Sequence, residues 1–213
     1  MKNDKRDLSE SDLYKDRFKT RESEISIASI VFLIVVMIVI IAATYCFRKN
    51  YAKVAVEGAS MNQTLSDGDV LYAKRTKQVK RGDIVIIDVE NYREEFHFSG
   101  EFIVKRLIAT AGDKLYCREG VVYVCYAGES EFHAAEEPYV YISSDLPVSS
   151  GDFSVTTVEE GKVFVLGDNR LNSYDSGEVG CFSVDDIWGV IPDWSYAIKD
   201  FLTGVNRFFG QRK

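Results

Sequence analysis

Histidine is nearly absent from this chain: His97 and His133 are the only two among 213 residues, so a Ser-His-Asp triad is thinly supplied. Proline is scarce as well, with three in the whole sequence, and long stretches are free to form regular structure. Cysteine is limited to four residues. Cys46 lies near the end of an apolar run, which leaves Cys117, Cys125 and Cys181, an odd number without metal-ligand spacing. If Glu119-Gly120 turns a hairpin, Cys117 faces Val122 and Cys125 faces Lys114, so these two do not pair and free thiols are expected. An excess of basic charge is also lacking. The formal net charge is −7, and residues 1–24 hold seven basic and seven acidic side chains, so the negative excess falls entirely later in the chain. A nucleic-acid partner is therefore not expected. There is no internal repeat and no low-complexity stretch.

What is present first is a hydrophobic run. Residues 25–47 carry no charge and are dominated by Ile and Val, between Glu24 on one side and Arg48-Lys49 on the other. A helix of that length spans the roughly 30 Å hydrocarbon layer with a little tilt, whereas the apolar region of a cleavable signal peptide runs only about 7 to 15 residues. The reading is a permanent anchor over 25–47, preceded by a tail over 1–24. Lys and Arg occur on both flanks, with Lys15, Arg17, Lys19 and Arg21 before the span and Arg48, Lys49 and Lys53 after it, so charge bias alone does not orient it. The remainder is long enough for one enzymatic domain with a sound core.

After the anchor, short apolar runs rich in Val, Ile, Tyr and Phe are set off by Gly-Asp and polar clusters. Strands are expected over 69–73, 83–89, 102–109, 114–118, 121–126 and 162–166. Their pattern predicts a mainly β, antiparallel domain, closed or sandwiched, rather than alternating βαβ units.

Three segments of that domain carry chemistry. Alternation along 102–109 puts Ile103, Lys105 and Leu107 on one face and Val104, Arg106 and Ile108 on the other. Lys105 between apolar neighbours either snorkels at a strand edge or is desolvated, and desolvation makes a neutral amine able to take a proton. The run Val56-Glu57-Gly58-Ala59-Ser60-Met61-Asn62-Gln63-Thr64-Leu65 sets Ser60 among small residues that admit a substrate backbone. Ser60 is either a turn residue or a nucleophile awaiting a base. The third segment, Gly161 to Ser176, is a strand running into a polar turn with Asp168, Asn169, Arg170, Asn172, Ser173 and Asp175. It is either a solvated loop or a hydrogen-bonded network that positions catalytic groups.

In order and content these segments resemble the signal peptidase I family, bacterial Ser-Lys branch, over about Val54 to Ile191. Gly58-x-Ser60-Met61-x-x-Thr64-Leu65 is similar to its nucleophile box. Val104-Lys105-Arg106 with Gly112-Asp113 is similar to its general-base box, and Arg81-Gly82-Asp83-Ile84-Val85 to the strand between them. Gly167-Asp168-Asn169-Arg170-x-Asn172-Ser173-x-Asp175-Ser176 is similar to its most distinctive stretch.

The resemblance implies a β catalytic domain over 48–193, of the signal peptidase and self-cleaving repressor-like fold, outside the cytoplasm, with residues 1–24 inside. One anchor and a compact domain look like the Gram-positive form. It implies removal of signal peptides from exported preproteins after small residues in an Ala-x-Ala pattern, at the bilayer and near the export channel, without metal or organic cofactor. Ser60 would be the nucleophile and Lys105 the general base. Ser173 would orient the lysine amine, and Asp168, Arg106 and Asp175 would support the site. The Ser60 N–H would serve the oxyanion, Gly58 lacking the hydroxyl some relatives supply there.

Two positions depart from the family pattern. Gln63 stands where proline is usual and loses its fixed φ. Gly177 stands where an Arg commonly pairs with a nearby acid, which shifts the support of Asp168 and Asp175 to Arg106 and Arg170. Neither change removes a reacting group. Finally, residues 194–213 space Ile198, Phe201, Leu202, Val205, Phe208 and Phe209 as one face of an amphipathic helix, either packed on the domain or lying at the membrane interface. Two rival functions are a Ser-Lys autoprotease, against which the anchor in place of a DNA-binding domain argues, and a silent scaffold, against which the retention of Ser60 and Lys105 argues.

Overall fold

The computed structural model describes residues 27–98, 100–140 and 151–199, so the expected tail over 1–24 and residues 200–213 of the amphipathic segment lie outside it. The chain divides into two units, Met1–Phe47 and Arg48–Lys213.

In the first unit, residues from Ile27 onward form helix α1, Ile27–Asn50. Its apolar side chains leave no polar face, which suits lipid rather than water. Twenty-four residues at about 1.5 Å each give about 36 Å, long enough to cross a membrane. The Thr44 hydroxyl donates back to the Ile40 carbonyl at 2.8 Å, so this polar group is satisfied within the helix itself. The helix continues past the expected end at Phe47 through Arg48 and Lys49, whose cations complement the carbonyl end of the helix dipole.

The second unit is antiparallel β structure: β1 (Tyr51–Ala55), β2 (Val70–Lys74), β3 (Ile84–Asp88), β4 (Phe102–Thr110), β5 (Lys114–Arg118), β6 (Val121–Cys125), β7 (His133–Ala134), β8 (Phe153–Thr157), β9 (Lys162–Leu166), β10 (Phe182–Ser183) and β11 (Ile187–Ile191). Seven strands form one sheet in the order β1-β2-β11-β3-β4-β9-β10, and four form another in the order β7-β6-β5-β8. All six expected strands occur, with ends within two residues. The expectation missed β1, β7, β8, β10 and β11.

Alternation drives the packing. On β3, Val85 and Ile87 enter one core with Leu107, Val163, Val165, Phe182 and Ile187. The alternate residues Ile84 and Ile86 enter another with Met61, Leu65, Leu71 and Ile191. On β9, Val163 and Val165 join the first core, while Phe164 and Leu166 face the small sheet through Leu115, Val122 and Val124. Strands buried on both faces read as continuous apolar runs, which is why β3 and β9 stand out in the sequence. A register shift between Leu107 and Ala109 breaks the expected alternation on β4 and sends both Ile108 and Ala109 into the core beside the small sheet.

The β5–β6 hairpin has the expected register, with Cys117 opposite Val122 and Cys125 opposite Lys114. Cys117, Cys125 and Cys181 form no disulfide.

Candidate active site

The strand β4 holds Lys105 by its pairing with Val85 of β3, and β9 joins the other side of β4 only from Arg106 onward. The first half of β4 thus has one open edge, and Lys105 lies at its inner end. Only 4% of the surface of Lys105 remains exposed, so the desolvated alternative holds rather than snorkelling. Burial lowers its pKa below the ordinary 10.5, while Asp175, Glu178 and Asp168 pull the other way.

Ser60 comes from the loop between β1 and β2. Val56 N–H donates to Asp69 O at 2.8 Å and Gly68 N–H to Val56 O at 2.9 Å, which closes the loop. Leu65 N–H donates to Met61 O at 2.8 Å, and the buried Met61 and Leu65 pin this helical turn to the core. Ser60 stands at the head of the turn, its Oγ 2.7 Å from Lys105 Nζ. The two residues are 45 positions apart in the chain.

The turn after β9 passes directly behind Ser60. A Cβ on Gly167 would lie 2.6 Å from the Ser60 carbonyl oxygen and would collide with the Ser173 side chain. Only glycine allows this approach. Asp168 is fully buried and receives Arg106 Nε at 2.8 Å and Nη2 at 2.6 Å, a bidentate charge-assisted pair. Thr64 Oγ1 donates to the same carboxylate at 2.5 Å and links the Ser60 loop to it. The ring of Tyr139 lies 3.9 Å from the Arg106 guanidinium carbon and covers the pair.

Three further positions singled out in the sequence have defined partners or geometry. Ser173 donates its hydroxyl to Asp175. The Arg170 guanidinium forms a bidentate pair with Glu137, and the charge of Asp175 also acts on it. Asp175 is held by the Gly167 N–H at 2.8 Å and the Gly177 N–H at 3.1 Å. Backbone donors, available because Asp175 caps a single helical turn at Ser176–Val179, supply what a cation would have supplied. Gln63 sits at φ +86°, a conformation proline cannot adopt.

Thr64, Glu137, Tyr139 and Asn169 escaped the site expectation. Only Thr64 and Asn169 lie in recognisable motifs; Glu137 and Tyr139 are brought in by a loop after β7. Asp113, noted only as part of a motif, is a buried carboxylate bound by Arg81 Nε at 2.8 Å, Arg81 Nη2 at 2.6 Å, Thr110 N–H at 2.8 Å and Ala127 N–H at 3.0 Å. Among the described residues, no group of three or more His, Cys, Asp or Glu side chains is arranged to hold a metal ion.

Beside Ser60 and Lys105 lies an open cleft of about 850 Å³. One wall is β1 and its continuation to Gly58, the other the open half of β4, with Ile86, Tyr174 and Trp188 contributing. The two walls are edges of the same curled sheet, four positions apart in its strand order.

A serine held against a buried lysine beside an open cleft is an arrangement for acyl transfer. The family model described as signal peptidase, peptidase S26, matches residues 25–193. The chain belongs to this signal peptidase family. Signal peptidase I T of Bacillus subtilis strain 168 is 38% identical over 144 residues, covering 63% of this chain and 68% of that one. Signal peptidase I P of Bacillus subtilis subsp. natto is 33% identical over 180 residues, covering 82% of this chain and 91% of the other. Among solved structures, a signal peptidase I from Enterococcus faecalis V583 is 26% identical, with a TM-score of 0.42 over 54% of this chain and 97% of that one. As a signal peptidase the chain is a serine peptidase, a hydrolase of the signal-peptide-processing class, and α1 fits the single membrane anchor of such an enzyme.

Proposed function

We propose that this signal peptidase cleaves exported preproteins by a Ser60–Lys105 dyad, after small residues in an Ala-x-Ala pattern, with residues 48–193 on the extracytoplasmic side of the membrane and close to the export channel. The observation that carries the dyad is the 2.7 Å approach of Ser60 Oγ to a lysine amine that is almost wholly out of water. With Lys105 neutral, the Ser60 hydroxyl donates to its lone pair. Attack forms the Oγ–C bond as the proton passes to Nζ and the carbonyl electron pair moves to oxygen. The protonated lysine then gives that proton to the leaving amine as the C–N bond breaks; a water deprotonated by the same lysine attacks the acyl carbon, and the Oγ–C bond breaks as the lysine returns the proton to Ser60 Oγ.

Support for the specificity is the cleft. An extended chain lying between β1 and the open half of β4 directs alternate side chains to the same side, so the residues at the first and third positions before the cut share one wall. The small and aliphatic residues lining the cleft include Ala52, Ala55, Ala59, Ile86 and Val104. The test is cleavage of an Ala-x-Ala preprotein in detergent micelles by wild type, Ser60→Ala and Lys105→Met, with the cut located by mass spectrometry. Cleavage after the small residue by wild type alone is expected. Activity surviving either substitution would show that the reacting groups lie elsewhere.

A further inference from the structure

One residue holds both carbonyls of the Ala59-Ser60 pair. Asn169 Nδ2 donates to Ala59 O at 3.0 Å, and Asn169 N–H donates to Ser60 O at 3.0 Å. The Ala59 carbonyl and the Ser60 N–H are opposite ends of one planar peptide unit. Fixing the oxygen therefore fixes the direction of the N–H. A second donor, Asn62 N–H at 3.0 Å, takes the other lone pair of Ala59 O, so the peptide is restrained from two sides. Donation to the oxygen also polarises the N–H across the same unit.

That N–H has no acceptor among the described residues, and Ser60 lines the cleft. The neighbouring donor, Gly58 N–H, is committed to Asp67 Oδ1 at 2.8 Å, and Gly58 has no side-chain hydroxyl. The anionic oxygen formed on attack at Oγ thus depends heavily on the aim of this single peptide.

We propose that Asn169 is a positioning residue for oxyanion stabilisation: its carboxamide, by gripping the Ala59 carbonyl, aims the Ser60 N–H at the oxygen of the tetrahedral intermediate. The proposal rests on Ser60 being the nucleophile. Asn169 exchanges no proton and makes no bond to substrate; it restrains the group that does. A carboxamide is required, since a carboxylate of the same shape presents only oxygen to the carbonyl.

The test uses the full chain in detergent micelles, with Asn169→Ala and the isosteric Asn169→Asp. A misaimed donor costs less than a deleted one, so kcat falls by about 10- to 100-fold against the 10²–10³ of removing an oxyanion donor, with KM within about twofold of wild type. A peptide aldehyde that forms a tetrahedral adduct on Ser60 binds more weakly by a similar factor. Binding of uncleaved peptide in the Ser60→Ala background is unchanged by adding Asn169→Ala, and the pH profile set by Lys105 does not move. A kcat within threefold of wild type overturns the proposal. So does an equal loss of ground-state peptide binding, or failure of both variants to fold in thermal unfolding, each of which marks a structural clamp. Activity in Ser60→Ala alone would instead sink the dyad, and is read separately.

Discussion

Lys105 carries the clearest consequence of burial at the scale of one residue. Its ammonium form is harder to hold in the folded protein than in the unfolded chain, so the folded pKa lies below 10.5. Between the two values the unfolded chain binds more protons, and stability rises with pH through that window. Lys105→Met should therefore melt at a higher temperature than wild type below the window, and its melting temperature should rise less across it, as a pH series of thermal unfolding would measure. With Lys105 as the proposed base, kcat/KM should climb with pH along a limb below the ordinary lysine value, and a limb at or above 10.5 would show the amine to be unperturbed. Gln63 carries a second consequence. At φ +86° it is strained, so Gln63→Gly should stabilise by about 1 kcal/mol, whereas Gln63→Pro should lower both the melting temperature and the cleavage rate. A proline variant as stable as wild type would show that this turn is not held in that conformation.

Elements are held together by buried charge and by one close backbone approach. Asp113 ties the start of β3, through Arg81, to the end of β4 and to the turn after β6. Burial pushes its pKa up, but Arg81 and two backbone N–H groups outweigh it and hold the carboxyl below 3.8. Its contribution is complete above that value and is lost as pH falls through the folded pKa. Asp113→Ala, which strands those donors, should cost about 3 kcal/mol in chemical denaturation. The turn after β9 is tested by Gly167→Ala: the added methyl must push the turn away from Ser60. Cleavage should fall by at least about tenfold with substrate binding less affected, since a displacement of about 1 Å at reacting atoms can cost about 10²-fold. Cys117 on β5 should resist alkylation at neutral pH, because burial and then Asp152 push its thiol up to about 11.

The whole molecule divides at Arg48, and the unit from there onward contains three apolar clusters of its own. A chain starting at Arg48 should therefore fold, cleave a soluble peptide and fail to sediment with lipid vesicles to the extent the full chain does. Loss of cooperative unfolding in that truncation would show that α1 stabilises the domain. The first turn of the C-terminal segment already packs on the sheet: Trp194 contacts Tyr51 and Tyr72, Tyr72 N–H donates to Ser195 Oγ at 2.7 Å, and Lys199 pairs with Asp69 at 3.1 Å. Over residues 193–199 the packed alternative holds.

How much of this was legible follows from range. The α1 span, the strands β2 to β6 and β9, and the unpaired hairpin cysteines could be read in advance, because each depends on neighbours a few residues away. The sequence also brought Ser60, Lys105 and the Gly167–Ser176 turn together, as a resemblance in order and content. β11 was hidden by Gly189, whose missing Cβ lets the strand approach within contact of the Lys74 carbonyl, and by its insertion between β2 and β3, which no local pattern signals. Only the tertiary structure decided partners: Arg170 with Glu137, Ser173 with Asp175, and Asn169 with the peptide before Ser60. Residue type limits which bonds a side chain can make, but which one forms depends on distances of a few ångströms set by strand order and turn geometry across the whole sheet.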